Sequence, residues 1–178
     1  MTDDWHCLAL AHGGDEAAWR VLFQRYYPVL LRMASCITGS RDTAHDLAQE
    51  SFVRLLRART GYQSGSFRAY LTTITYRLAL KERRRQSSKH ELETVPLADD
   101  SPSPLELAIQ NETDRLIFRA IQSLPGEQRE ILALRFFGGH SYEEVAHITG
   151  IPIGTVKSRI FYAVKSCREK LKEQGVFQ

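Results

Sequence analysis

Cations and aromatic side chains are concentrated in two separate stretches of the chain. Residues 67–89 hold seven basic side chains and one acidic one. Residues 131–178 hold seven basic and four acidic ones, whereas residues 90–130 between them hold nine acidic and three basic. Cations bind phosphates, and aromatic rings stack on bases. The distribution therefore predicts two polyanion-binding surfaces joined by a connector that does not bind.

The second basic stretch has the pattern of a helix-turn-helix. Ser141 and Glu144 are typical of a capping box, in which a hydroxyl and a carboxylate each bond a free backbone amide. Gly150 suits a left-handed helix end, and Pro152 suits the first turn of the helix that follows. A short helix, a glycine turn and a longer basic helix together indicate DNA binding.

At about 100° per residue, the last helix has two chemically distinct faces. One stripe is apolar and is expected to pack on the preceding helices: Val156, Ile160, Ala163, Val164 and Cys167. The opposite face carries hydroxyls, aromatic rings and cations: Thr155, Lys157, Ser158, Arg159, Phe161, Tyr162 and Lys165. These groups suit phosphates and base edges in a DNA groove. The face is therefore predicted to bind DNA, with a protein partner or a merely solvated face as the alternatives.

Helical periodicity dominates the sequence, and no segment alternates as a strand would, so the chain is predicted to be all-α. Two small helical domains are expected, over 1–86 and 105–178. An acidic, Pro-rich segment, 87–104, has the composition of a flexible linker and would span roughly 60 Å if extended. The expected helices before the last one cover 15–37, 41–59, 66–85, 105–123, 127–137 and 141–149.

The same sequence argues against several other classes of protein. It has no apolar run of membrane-spanning length and an acidic N-terminus, so we expect a cytoplasmic protein without membrane insertion. Cys7, Cys36 and Cys167 lack C-x-x-C spacing and are interpreted as reduced thiols. The histidines show no metal-ligand spacing, and His140 and His147 are interpreted as surface polar residues. We therefore expect no metal, no cofactor, no catalytic residue and no enzymatic activity.

Both halves of the chain resemble one family. Residues 124–135 (LPGEQREILALR), 139–146 (GHSYEEVA) and 150–160 (GIPIGTVKSRI) closely resemble region 4 of extracytoplasmic-function sigma factors, the group IV members of the sigma-70 family. Independently, 42–54 (DTAHDLAQESFVR) resembles region 2.2, and 66–74 (SFRAYLTTI) with the arginines at 83–85 resembles regions 2.3 to 2.4. The resemblance implies a sigma factor that binds core RNA polymerase and directs promoter-specific initiation.

The resemblance also implies roles for particular residues. The polymerase β′ clamp helices would be bound by Asp42, Asp46, Gln49, Glu50 and Val53. The minus-10 promoter element would be recognised and melted by Tyr62, Phe67, Arg68, Tyr70, Arg77, Lys81 and Arg84. The minus-35 element would be read by the DNA-binding face of the last helix. The polymerase β flap and an anti-sigma factor are further implied partners.

Three positions depart from the family pattern. Tyr70 and Leu71 stand where Trp-Leu is usual, Arg77 replaces a common Asn, and Tyr162 replaces a frequent Arg. The base preference at either promoter element is therefore not carried over. A different class of function stays open as an alternative, a stand-alone helix-turn-helix regulator that never enters polymerase. The motif around Asp46 favours the sigma factor, because a simple repressor has no use for it.

Overall fold

The computed structural model describes residues 3–58, 66–90 and 112–175, and over these ranges it contains helices and no strand. The N-terminal half consists of α1 (Asp4–His12), α2 (Glu16–Thr38), α3 (Arg41–Arg57) and α4 (Phe67–His90). The C-terminal half consists of α5 (Glu112–Gln122), α6 (Gly126–Leu132), a π-helix (Ala133–Gly138), α7 (Tyr142–Thr149) and α8 (Ile153–Glu173). The prediction of an all-α protein is confirmed.

Two of the predicted features fall wholly or partly outside the described residues. Tyr62 is one of them, and most of the predicted linker, from residue 91 onward, is the other. Because α4 continues to His90, the first four residues of that predicted linker are helical. The domain boundaries at 86 and 105 stay a prediction.

Side-chain caps account for where several helices begin. Asp15 accepts a hydrogen bond from the amide of Ala18 at 3.0 Å and starts α2, as predicted. At α7 both bonds of the predicted capping box are present, from the Glu144 amide to the Ser141 hydroxyl and from the Ser141 amide to the Glu144 carboxylate. Gly150 then ends α7 in the left-handed conformation, with φ of 73°.

The sequence analysis did not predict α1. Asp3 caps this helix, and the carboxylate of Asp4 binds two side chains of α2, the guanidinium of Arg25 and, at 2.5 Å, the hydroxyl of Tyr26. Trp5 is only 5% exposed, and its ring packs edge-on against Phe67 with the centroids 5.1 Å apart. The helix therefore closes one side of the N-terminal core.

The N-terminal half has a core of its own. Its buried side chains come from all four of its helices and include Leu8, Leu22, Leu30, Phe52 and Leu71. On α3 the residues predicted to face inward do so, with Ala44, Ala48, Phe52 and Leu55 buried and Leu47 half-buried. Ala48, Phe52 and Leu55 belong to this core, whereas Leu47 packs against a second one. No helix within the described ranges is both long and apolar enough to cross a membrane.

A second core is built from both halves of the chain. The N-terminal half contributes Met33, Cys36, Ile37, Tyr76 and Ala79, and the C-terminal half contributes Ile131, Ala133, Leu134, Val145, Val156 and Ile160. We call this cluster the shared core. It places the π-helix against α2 and α4, so the two halves form one packed body.

Candidate nucleic-acid and polymerase interfaces

The outward side of α3 carries a ridge of exposed acidic and apolar residues. Asp42, Asp46, Gln49 and Val53 are exposed and follow one another at intervals of three or four residues, which places them on one face of the helix. Glu50 is half-buried and accepts a hydrogen bond from Arg54 at 2.8 Å. Leu56, which the sequence analysis left out, extends the same face and is 38% exposed. We call this surface the α3 ridge.

Helix α4 presents two different faces. Tyr70, Arg77, Lys81 and Arg84 lie along one face at intervals of seven, four and three residues, and the three cations are exposed. Arg68 lies on the opposite face, where its guanidinium donates to the carbonyl oxygen of Phe137 at 2.6 Å. Phe67 is 4% exposed and belongs to the N-terminal core. The predicted minus-10 residues therefore do not form one continuous surface in this conformation.

A cleft of about 620 Å³ lies between α4 and α7. Tyr70 and Arg77 line it from α4, and Trp5 lines it from α1. The facing wall is formed by α7 and carries Glu143, Glu144 and His147. We call it the α4–α7 cleft. The carboxylates of Glu143 and Glu144 therefore lie across the cleft from Arg77, the first of the three exposed cations on this face of α4.

On α8 the predicted DNA-binding face is exposed. Phe161 and Tyr162 are 64% and 59% exposed, and their rings meet edge to face with the centroids 5.4 Å apart. Lys157, Ser158 and Lys165 are exposed, whereas Thr155 and Arg159 are half-buried. We call this surface the recognition face. It offers cations, hydroxyls and two aromatic rings together, the combination that base-edge and phosphate contacts require.

Two of the cations on the recognition face have acidic partners. Arg159 pairs with Glu127 of α6 at 2.7 Å, and Lys165 lies 3.9 Å from Glu169 on its own helix. Exposed pairs of this kind contribute about 0 to 1 kcal/mol, so phosphates can displace the carboxylates. The opposite stripe buries Val156, Ile160 and Ala163 as predicted.

An apolar groove of about 490 Å³ runs between α5, the π-helix and α8. Its lining includes Ile121, Phe136, Val164 and Leu171, and Phe136 is 58% exposed. Arg168 and Lys172 add cations to its lining. The sequence analysis did not predict this groove, because Phe136 comes from the π-helix, whose wider turn ordinary helical periodicity does not describe.

Two expectations were wrong. Val164 was expected to pack inward, but it is 44% exposed at the apolar groove, because the preceding helices cover only part of the α8 stripe. His140 was interpreted as a surface residue, but it is 1% exposed, with Nε2 3.0 Å from the hydroxyl of Thr72. Burial lowers the pKa of His140, opposed by Glu144 and reinforced by Arg68. His140 is buried because α4 packs against it, and the sequence around His140 does not predict this contact.

Comparison with known proteins identifies both halves. Residues 22–89 match the family model described as Sigma-70 region 2, and residues 114–167 match the model described as Sigma-70, region 4. The ECF RNA polymerase sigma factor SigE of Mycolicibacterium smegmatis is 32% identical over 171 residues, which cover 91% of this chain and 66% of that relative. The ECF RNA polymerase sigma-E factor of Salmonella typhimurium (strain LT2) is also 32% identical, with 89% of each chain covered.

Two solved structures have a fold similar to that of this chain. The sigma factor RpoE from Bartonella quintana, crystallised with the anti-sigma factor NepR, is 25% identical and superposes with a TM-score of 0.64 over 86% of this chain and 96% of that one. CnrH, solved with the cytosolic domain of CnrY, has the same fold at 22% identity, with a TM-score of 0.63 and coverage of 96% and 97%. The chain belongs to the extracytoplasmic-function sigma factors of RNA polymerase, as its motifs predicted.

Proposed function

We propose that this protein binds core RNA polymerase and directs it to promoters that carry a minus-10 and a minus-35 element. The observation that carries the proposal is the presence of both sigma-70 regions in one chain, each with an exposed face of suitable chemistry. The N-terminal domain, 1–86, would serve polymerase binding and the minus-10 element. The C-terminal domain, 105–178, would serve the minus-35 element, with the part of the predicted 87–104 segment that follows the end of α4 at His90 as the linker.

Polymerase binding is assigned to two surfaces. The α3 ridge would dock on the β′ clamp helices. Its exposed carboxylates would complement basic side chains of the partner, and Val53 and Leu56 would make apolar contacts at the centre of the interface. The apolar groove would take the β flap, because its exposed Phe136 and Val164 suit the apolar side of a partner helix. Promoter recognition would therefore occur on surfaces that leave both polymerase contacts available.

Promoter binding is assigned to α4 and α8. At the minus-10 element Arg77, Lys81 and Arg84 would hold phosphates, and Tyr70 would stack on an unpaired base, with Tyr62 as a further aromatic residue of this element. Phe67 and Arg68, which were also predicted for this element, would not contact DNA in this arrangement, because Phe67 is buried in the N-terminal core and Arg68 is bonded to Phe137 on the opposite face of α4. At the minus-35 element the recognition face would enter the major groove, with Phe161 and Tyr162 against thymine methyl groups and Ser158 on a base edge.

We infer further that the protein acts in the cytoplasm, has no catalytic activity of its own and is held inactive by an anti-sigma factor. The RpoE structure supports the last point, because RpoE was solved with a partner described as an anti-sigma factor. Such a partner would cover the recognition face or the α3 ridge.

The test is run-off transcription with purified core polymerase and a genomic promoter library, with and without the protein. We expect new start sites that share two upstream elements. The variant that probes the DNA contact is Lys157→Glu, which reverses a charge on the exposed recognition face and should lower initiation at those sites without changing binding to core polymerase. If the same start sites appear with and without the protein, although the protein binds DNA and the core polymerase is active, the result would instead favour a stand-alone regulator.

A further inference from the structure

The α4–α7 cleft has the size and the apolar lining of a small-molecule site. Its volume of about 620 Å³ lies within the range of roughly 300 to 1,000 Å³ that is usual for ligand pockets. Part of its lining is aromatic or aliphatic and comes from Trp5, Tyr70, Ile74 and Ile148. The rings of Trp5 and Tyr70 pack together with their centroids 5.4 Å apart. The cleft can therefore accommodate the apolar body of a small organic molecule.

The charged groups of the lining favour a cation as the occupant. Glu143 and Glu144 contribute two carboxylates and Arg77 contributes one guanidinium, which leaves an excess of one negative charge before the histidines are counted. Hydrogen bonds from its own backbone amide and from the hydroxyl of Ser141 lower the pKa of Glu143, and Lys157 adds to this shift. The carboxylate of Glu143 is therefore ionised at neutral pH.

His140 contributes a buried hydrogen-bond acceptor to the same wall. The hydroxyl of Thr72 donates to the carbonyl oxygen of Arg68 at 2.7 Å, so its oxygen is left to accept from Nε2 of His140 at 3.0 Å. A neutral imidazole that donates from Nε2 has a lone pair on Nδ1. Burial lowers the pKa of His140, which keeps the ring neutral at neutral pH. Nδ1 is therefore an acceptor.

This acceptor has no donor among the residues that the structure describes. Nδ1 of His140 is buried without a hydrogen-bond partner, and Oε2 of Glu144 lies 3.8 Å from it. Both residues line the cleft, so Nδ1 faces the space between them. A lone pair and a carboxylate oxygen cannot bond each other, and a buried acceptor that stays unpaired is costly. A positively charged group with several N–H donors would bond both.

We propose that the α4–α7 cleft is a binding site for a small primary amine, bound as its ammonium ion and carrying an apolar or aromatic body. The ammonium donates to Nδ1 of His140 and to the carboxylate of Glu144, and its positive charge offsets the negative balance of the lining. The body of the amine packs against Tyr70 and Ile148. Arg77 can stack on a planar body through its guanidinium.

Occupation of the cleft has a consequence for promoter binding, and this consequence rests on the proposed function. Tyr70 and Arg77 line the cleft and also belong to the proposed minus-10 surface, so an amine and a DNA strand would compete for these two side chains. Binding of the amine itself needs neither DNA nor polymerase. A failure of the amine site can therefore be distinguished from a failure of the proposed function, which transcription tests separately.

The first test uses 2-phenylethylamine as the probe, titrated into the full chain at neutral pH and followed by calorimetry. Its N,N,N-trimethyl derivative keeps the ring and the charge but has no N–H donor, and 2-phenylethanol keeps the ring but has no charge. We expect saturable binding of the amine and roughly tenfold weaker binding of each analogue. Equal affinity for the trimethyl derivative would overturn the proposal, because the acceptor on His140 would then play no part. Absence of saturable amine binding would overturn it as well.

The second test changes the protein. Glu144→Gln removes a carboxylate of the cleft but keeps the size of the side chain, and glutamine also serves in a capping box, so α7 should still fold. We expect this variant to bind 2-phenylethylamine roughly tenfold more weakly and 2-phenylethanol as before. The matched control is Glu169→Gln, which removes an exposed carboxylate of α8 and should leave both affinities unchanged. Equal losses in the two variants would show that only the net charge matters.

The third test locates the amine by nitrogen NMR of the imidazole side chains. A hydrogen bond to the lone pair of Nδ1 changes the resonance of that nitrogen, so the Nδ1 signal of His140 should move as the amine is added. His12 is exposed at the end of α1, outside the cleft lining, and its signals should stay in place. Saturable amine binding with an unchanged Nδ1 signal of His140 would place the amine elsewhere and overturn the proposal.

Discussion

The hydroxyl of Thr72 on α4 lies 3.0 Å from Nε2 of His140, which is buried just before α7. The contact joins the two halves of the chain through an imidazole whose pKa burial lowers from its ordinary value of 6.5. Arg68 of α4 lowers it further, and Glu144 of α7 opposes the shift. Arg135 also faces this site, donating to the carbonyl oxygen of His140 at 3.2 Å.

The packing of the two halves against each other should therefore depend on pH. A lowered pKa means that the packed structure favours neutral imidazole, so the contribution of His140 to this packing is fully present above pH 6.5 and is lost as the pH falls below that value. We expect the radius of gyration, measured by small-angle scattering, to rise between about pH 7.5 and about pH 5.5. His140→Gln should flatten this dependence. His147→Gln, at an exposed position, should leave it intact, and an equal effect of both variants would argue against His140.

Charge reversal on the α3 ridge should weaken polymerase binding. Asp46 is exposed, so Asp46→Lys leaves packing unchanged but places a cation opposite the basic partner surface that we propose. The loss should be about 2 kcal/mol of binding free energy, measured by fluorescence anisotropy with core polymerase. Glu173→Lys, at the far end of α8, makes the same change in charge away from the ridge. If Glu173→Lys weakens binding equally, the effect comes from net charge and the ridge has no special role.

Salt dependence should separate the phosphate contacts of the recognition face from its aromatic contacts. Lys157→Gln should weaken DNA binding for all sequences and lower the magnitude of the slope of log K against log salt by about one. Phe161→Ala should weaken binding to promoter DNA while leaving that slope unchanged, because no charge is lost. Lys172→Gln, which lies outside the face, is the control. A slope that is identical in Lys157→Gln and in the unaltered protein would contradict phosphate binding at this residue.

The N-terminal helix should contribute strongly to stability. Trp5 packs on Phe67 and, with the centroids 5.4 Å apart, on Tyr70, so Trp5→Ala should cost about 3 to 5 kcal/mol of unfolding free energy. Leu10 lies on the same helix but is 41% exposed, and Leu10→Ala should change stability by no more than about 0.5 kcal/mol. Urea unfolding followed by circular dichroism measures both. A Trp5→Ala cost as small as that of Leu10→Ala would show that α1 is not part of the folded core.

Local sequence rules predicted the features that local chemistry determines. The capping box of Ser141 and Glu144, the left-handed Gly150 and the exposed α3 ridge around Asp46 all follow from residue type and spacing. The features that were missed depend on distant contacts. His140 is polar but is buried against Thr72, sixty-eight residues earlier, and Val164 is apolar but only partly covered.

The helix α1 was missed for a different reason. Its apolar residues do not form one stripe, since Trp5, Cys7 and Leu8 are buried but Ala9 and Leu10 are exposed. Asp4 holds the helix in place through Arg25 and Tyr26, more than twenty residues further along. Polar contacts of this kind between distant residues do not produce a periodic hydrophobic pattern in the sequence.

The shared core gives the packing of the two halves a thermal dependence. Separating the halves would expose apolar side chains such as Met33 and Ile37 to water, and hydrating them would raise the heat capacity. The apolar contribution to this packing therefore weakens on cooling, because the hydrophobic effect near room temperature is mainly entropic. The two halves would therefore be held together less strongly in the cold, without any change of ligand.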